Sequence, residues 1–160
     1  MEKFWPGPLT IILKKNDIIP NITSASLDSI GVRMPDNEIA RKLIELSGTT
    51  IAAPSANISG RPSPTDIERC VEDLDGRVDY IIGGCHSKIG VESTIVDCTV
   101  DPPLVLRPGG ITLEMLKEID SRIEIDKAIM QKPSENLKPK APGMKYRHYA
   151  PKAKVTIISG

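Results

Sequence analysis

STIVDCTVDPPLVLR, Ser93 to Arg107, decides the fold. Ser93–Val100 (STIVDCTV) and Leu104–Arg107 (LVLR) are short, β-branched apolar runs, and such runs bounded by turn residues read as strands. Between them stands Asp101-Pro102-Pro103, a turn and not a helix. A regular doubly wound sheet joins its strands by helical crossovers, so this pair points to a mixed sheet with helices packed on it.

Working back from that hairpin, Gly83–Gly90 is a loop and Val78–Ile82 reads as a strand. Thr65-Asp66-Ile67-Glu68 has the spacing of a capping box and predicts a helix from there to about Leu74, with Asp75-Gly76 turning the chain. Thr50–Ala53 (TIAA) has the pattern of a buried strand. It runs into Pro54–Pro64 (PSANISGRPSP), which holds too many Pro, Ser and Gly residues for regular structure. Asp36 or Asn37 can cap a helix with Ile39, Ala40, Leu43, Ile44 and Leu46 on one stripe and Gly48 as its stop. Ser29–Met34 and Leu9–Lys14 (LTIILK) read as strands flanking a polar loop, and Met1–Trp5 as a last helical turn before Pro6-Gly7-Pro8. Forward of the hairpin, Pro108-Gly109-Gly110 leads to a short helix capped by Thr112. Lys127–Met144 is Pro- and Lys-rich and reads as a linker, and Lys154–Ser159 (KVTIIS) reads as a strand in need of a sheet. Both ends are expected to be cut from a longer protein.

The 160 residues suffice for one domain with a core. At 39% hydrophobic and 26% charged, the composition excludes a disordered chain, and no apolar run approaches the ~20 residues of a membrane span. Three cysteines (Cys70, Cys85, Cys98) without CxxC spacing argue against a disulfide framework and for a cytoplasmic setting. Net charge is zero, so any anion site must be a local arrangement.

The unusual polar residues fall just after strands, where ligands gather in sheet proteins. Val32-Arg33-Met34-Pro35, Pro54–Ser63, Gly90–Asp97 and Leu106–Gly110 together offer hydroxyls, an amide, guanidinium groups and glycine backbone. That kit suits phosphates and a carboxylate. Singly the motifs are ambiguous: Ser55 is equally a turn residue, Arg33 equally a surface ion pair, and Glu92 reads first as a solvated acid with metal binding as the alternative. The phosphate-loop and dinucleotide signatures are absent. Cys85-His86 lacks zinc-site spacing, Ser55 lacks a nucleophile elbow, and no carboxylate pair stands out for glycoside chemistry.

Taken as an ordered set, KFWPGPLT (Lys3–Thr10), VRMP (Val32–Pro35), APSANISGRPSPT (Ala53–Thr65), ESTIVD (Glu92–Asp97), LRPG (Leu106–Gly109) and APGMKYRHYAP (Ala141–Pro151) closely resemble the YrdC-like family of threonylcarbamoyl-AMP synthases, over nearly the whole chain. The last segment resembles the linker of its two-domain members. The resemblance implies a twisted mixed α/β sheet and divides the chain into a partial catalytic domain (1–126), a linker (127–153) and the first strand of a C-terminal domain (154–160). It also implies the reaction of ATP, L-threonine and bicarbonate to threonylcarbamoyl-AMP and diphosphate, for threonylcarbamoyladenosine in tRNA.

Residue by residue, the resemblance places Arg33 on the threonine carboxylate, with Ala53, Ser93 and Thr94 also on threonine. It places Ser29, Ser55, Asn57, Ser63, Arg107, His148 and Tyr149 on the nucleotide, with Mg2+ near Ser55 and Asn57. Ser55, Asn57 and Arg107 are the expected catalytic groups, acting by positioning and charge stabilisation. A tRNA or a tRNA-modifying complex is a candidate partner, and no membrane is expected. Family members carry a further N-terminal stretch with a Lys-x-Arg phosphate motif, so these 160 residues alone are expected to be weak or inactive. The competing reading is a noncatalytic RNA-binding module built on Lys132, Lys138, Lys140, Lys145 and Arg147 with Tyr146 and Tyr149 between them. A related carbamoyl-adenylate enzyme of the hydrogenase-maturation type is a third, against which the linker motif argues.

Overall fold

The structure, a computed structural model, describes residues 1–84, 86–129, 156 and 158. The chain divides into two compact units, one of residues 1–53 and 91–145 and the other of residues 54–90 and 146–160.

The first unit is built on a mixed five-stranded sheet. Its strands are β1 (Leu9–Lys14), β2 (Ser29–Val32), β3 (Thr94–Asp97), β4 (Leu104–Arg107) and β5 (Glu124–Ile125), in the order β2-β1-β3-β4-β5. β1 pairs antiparallel with β2 and parallel with β3, β3 antiparallel with β4, and β4 parallel with β5. The hairpin expected from Ser93–Arg107 is therefore present, and it supplies one of the two antiparallel pairs of the mixed sheet. Alternation along β1 sends Leu9 and Ile11 to one face, where they bury with Phe4, Val96, Val105, Ile111, Leu116 and Ile123. Helix α3 (Leu113–Lys117) contributes Leu116 to that core, and Thr112 caps it by accepting the Met115 N–H. Each such aliphatic side chain contributes about 1.5–3 kcal/mol on burial.

The opposite face holds a smaller apolar group, Ile12, Ile95 and Leu106. Register between β3 and β4 shifts between Ile95 and Val96. A bulge of this kind lets two successive residues of one strand share a side, and here Leu106 packs on Ile95 while Arg107 bonds to Ser93. Beyond β3 the Asp97 carboxylate accepts the Thr99 N–H and hydroxyl at 2.8 and 2.5 Å. This local turn ends the strand at Asp97, short of Val100, because it diverts the chain from the ladder.

Helix α1 spans Glu38–Ser47; Asn37 caps it through the Ala40 N–H, and Gly48 ends it at φ 65°. The expected apolar stripe forms, yet none of its residues is buried among the described ones, and Ile39, Leu43 and Leu46 stay exposed. In the second unit α2 spans Ile67–Leu74, and its cap is Asp66, which accepts the Arg69 N–H, one residue later than the Thr65 box predicts. A carboxylate is the stronger acceptor at a helix N-terminus.

Two expected strands are absent. Thr50–Ala53 and Val78–Ile82 form no ladder, and Ile51, Val78, Tyr80 and Ile82 are exposed. A β-branched run becomes a strand only where a neighbour meets its N–H and C=O groups, and no strand among the described residues pairs with either. Met1–Trp5 is a single turn, the Phe4 and Trp5 N–H groups both reaching the Met1 carbonyl. At the expected start of the linker, Lys127–Ile129 forms a 3-10 turn. The rest of the linker, and most of the expected Lys154–Ser159 strand, lie outside the described residues.

Candidate functional site

In the first unit, four side chains gather where β1 begins and β2 and β4 end. Arg107, half-buried at the end of β4, donates from Nε to the Ser93 carbonyl at 3.0 Å and from Nη2 to Ser93 Oγ at 3.1 Å. Ser93 is buried, and its hydroxyl also meets Thr10 Oγ1 at 2.9 Å. Arg33, one residue past β2, donates from Nε to the Gly7 carbonyl at 3.0 Å. Desolvation first, and then the nearby charge of Arg107, lower its pKa. Among the described residues neither guanidinium is ion-paired with a carboxylate. Two guanidinium groups near enough to feel each other's charge, with no carboxylate partner among the described residues, suit an anion.

The LRPG glycine keeps this cluster compact. A Cβ on Gly109 would lie 2.3 Å from the Glu92 carbonyl oxygen, 2.6 Å from the Thr94 nitrogen and 2.7 Å from the Ser93 carbonyl carbon. Only glycine lets the chain after Arg107 lie against the segment that carries Ser93.

The four expected threonine contacts therefore separate. Arg33 and Ser93 sit in the cluster; Ala53 is exposed at the end of the unpaired 50–53 segment. Thr94 faces the other way and is 1% exposed. Its hydroxyl donates to the Ile111 carbonyl at 2.6 Å and accepts the Ile111 N–H at 2.9 Å, so it serves the scaffold and is not presented to a ligand. Thr94→Val should cost about 1–3 kcal/mol by stranding both Ile111 groups. A denaturant midpoint lowered at unchanged m-value would show it. Ser29 pairs with Lys14 at the far end of β2, about 13 Å along the strand from Arg33 at ~3.3 Å per residue.

Ser55, Asn57 and Ser63 belong to the second unit. The Asn57 side-chain amide donates to the Ile58 and Arg61 carbonyls at 2.9 and 3.1 Å, and the Arg61 N–H closes back on Ile58 at 3.0 Å through Gly60 at φ 88°. Asn57 Oδ1 and Ser63 Oγ are buried without a partner among the described residues. Asp73, the seventh residue of α2, takes the Ile58 N–H on Oδ2 at 3.0 Å and the Arg61 guanidinium on Oδ1. The Ile58 bond first, then Arg61, hold the Asp73 carboxyl below its ordinary pKa against the opposing effect of burial. An open hollow of about 380 Å³ beside it is lined by Arg61, Ser63, Arg69, Asp66, Glu72 and Asp73, charges of both signs.

Sequence reasoning assigned no role to Thr10 or Asp73. Thr10 carried a weak signal, a hydroxyl at an inner position of an apolar strand; Asp73 looked like any exposed helix acid. Burial raises the thiol pKa of Cys70 and Cys98, which weighs against a thiolate nucleophile at either. Among the described residues no group of three or more His, Cys, Asp or Glu is placed to hold a metal, and no helix is long and apolar enough to cross a membrane. His148, Tyr149 and the basic residues of the RNA-binding alternative lie outside the described residues.

The family model described as Telomere recombination, Sua5_yciO_yrdC, matches residues 1–109. The chain belongs to this Sua5/YciO/YrdC family. A second model, Threonylcarbamoyl-AMP synthase, C-terminal domain, matches residues 111–160. Relatives named Threonylcarbamoyl-AMP synthase include one from Pyrococcus abyssi, 51% identical over 99% of this chain and 46% of its own length. Another, from Bacillus subtilis, is 49% identical over all of this chain and 46% of its own length. The crystal structure of P. abyssi Sua5 complexed with L-threonine superposes with a TM-score of 0.89 at 52% identity, covering 96% of this chain and 44% of that one. E. coli YciO aligns at a TM-score of 0.58 and 33% identity, over 66% of this chain and 52% of its own. The mixed sheet is thus the sheet of Sua5-type structures. The chain spans less than half the length of the P. abyssi and B. subtilis relatives it matches.

Proposed function

We infer that this chain is the part of an L-threonylcarbamoyladenylate synthase that holds the threonine carboxylate and part of the nucleotide. The observation that carries the reading is the Arg33–Ser93–Arg107 cluster, an anion-receiving pair of guanidinium groups without a carboxylate partner among the described residues. Its support is the relatives' name and the L-threonine bound by the P. abyssi protein.

In this reading Arg33 takes the threonine carboxylate by a bidentate fork, and Ser93, oriented by Arg107 and Thr10, takes a second polar group of the amino acid. Ser55, Asn57 and Ser63 hold the nucleotide. Their oxygens suit a hard cation and its phosphates, and Asn57 Oδ1, which can only accept and has no partner among the described residues, fits Mg2+. Mg2+, when bound, supplies charge neutralisation to the phosphates. Ala53 contributes its backbone to threonine, Ser29 a hydroxyl to the nucleotide, and His148 and Tyr149 close over it from the linker.

The threonine amine and bicarbonate give a carbamate with loss of water. A carbamate oxygen attacks the α-phosphorus, an O–P bond forms, and diphosphate leaves with the electrons of the broken P–O bond. The residues work by alignment and by stabilising charge on the phosphoryl oxygens, with no covalent enzyme intermediate. The product serves tRNA modification in the cytoplasm, and residues 1–126, 127–153 and 154–160 act as partial catalytic domain, linker and start of a C-terminal domain.

The test measures diphosphate release from ATP and bicarbonate with and without L-threonine. It is run on these 160 residues and on the same chain joined to the region that its relatives have and it does not span. Release in the joined form should depend on threonine; release indifferent to threonine removes the substrate assignment.

A further inference from the structure

The loop that offers Asn57 and Ser63 is fixed from below by one carboxylate. Asp73 is 6% exposed, the buried residue of α2. Burying a carboxylate is costly unless it is paired and hydrogen-bonded, and both of its oxygens are used: Oδ2 by the Ile58 N–H at 3.0 Å, Oδ1 by Arg61. These are the first and last residues of the turn that clasps the Asn57 amide, since Asn57 Nδ2 donates to the carbonyls of the same two residues. With its NH2 held on two carbonyls, the Asn57 amide has one orientation, and Oδ1 is left buried with no partner among the described residues. A donor or a cation brought by a ligand would satisfy such an atom.

We propose that Asp73 is a positioning residue: by gripping Ile58 and Arg61 it fixes the Asn57 amide so that Oδ1 meets the metal of a bound metal–nucleotide. The inference rests on the nucleotide-binding reading above and adds a residue that touches no ligand. Asp73 acts on the metal-bound form of the nucleotide because Oδ1, an acceptor, has nothing to give a bare phosphate oxygen. A role confined to holding α2 against its loop would affect ATP with and without metal alike.

The test compares the 160-residue chain with Asp73→Asn, which keeps an acceptor for Ile58 and removes the charge that holds Arg61. Arg61→Ala removes the same arm from the other side should Asp73→Asn unfold. Amide hydrogen exchange reads the loop, and calorimetric titration with ATP, with and without Mg2+, reads the site. Exchange at the Asn57 side chain and the Ile58 N–H should quicken at least about tenfold while the rest of α2 is unchanged. Affinity for Mg2+–ATP should fall on the order of tenfold, with metal-free ATP changed less than about twofold. Unchanged exchange, unchanged Mg2+–ATP affinity, or equal losses with and without metal would each overturn the positioning role while leaving nucleotide binding in place. No ATP binding by the unsubstituted chain, even when joined to the region that its relatives have and it does not span, would remove the nucleotide reading and this inference together.

Discussion

Gly109→Ala is expected to be severely damaging. The added methyl would meet three main-chain atoms of Glu92, Ser93 and Thr94 at 2.3–2.7 Å. No side-chain rotation relieves a contact with backbone, so the segments must part. Overpacking of this kind costs about 1–3 kcal/mol and occasionally more. The upper end applies here, because Thr94 is anchored to Ile111 on the far side and cannot retreat. Set against a total stability of about 5–15 kcal/mol for a domain, that is a large fraction. The damage should also be local. Ser93 moves off Thr10 and Arg107, so affinity for the anionic ligand should fall with stability. Gly90→Ala is the control, since its Cβ would find nothing within 4 Å. Urea unfolding of the two variants checks the argument, and equal midpoints would show that the turn after Arg107 yields more readily than its contacts imply.

The same contacts explain what could be read from sequence. The hairpin, the α1 caps and the α3 cap are local chemistry: a turn at Asp101-Pro102-Pro103, an Asn37 acceptor, a Gly48 in the left-handed region, a Thr112 hydroxyl. Each is decided within four or five residues. Thr50–Ala53 and Val78–Ile82 failed because a strand is a property of two segments, and the apolar pattern of one says nothing about whether a partner lies beside it. The α1 stripe is the same case: its period is right, while its covering partner is not among the described residues.

Arg33, Ser93 and Arg107, which the structure brings into one cluster, stood out in the motifs because guanidinium and hydroxyl groups after strands are few. The motifs could not separate Ser93 from Thr94. Adjacent residues of one motif point to opposite faces of a strand, and which faces the ligand depends on the register with β1. Asp73 was out of reach for a further reason: its partner lies fifteen residues back in a loop with no period at all.

Arg33→Ala and Arg107→Ala should lower threonine-dependent diphosphate release in different ways. Arg33 is tied to the scaffold from Nε to the Gly7 carbonyl, and its charge is held beside that of Arg107. Removing it takes away a charge-assisted fork worth about 1.5–3 kcal/mol, or roughly 10- to 150-fold in the threonine requirement, with the ATP requirement little changed. Arg33→Lys should restore only a small part, since an ammonium cannot reproduce the fork. Arg107 is different because two of its nitrogens are spent on Ser93. The sequence reading put it on ATP phosphate alone; the structure adds a second duty, so Arg107→Ala should weaken both substrates, ATP through the lost charge and threonine through an unheld Ser93. Ser93→Ala then separates the two, because it removes the hydroxyl and keeps the charge. If Arg107→Ala raised the ATP requirement and left threonine untouched, its grip on Ser93 would have no bearing on the amino acid. If Arg33→Ala left threonine untouched, the carboxylate would have to be bound elsewhere, and the two guanidinium groups would both belong to the phosphates.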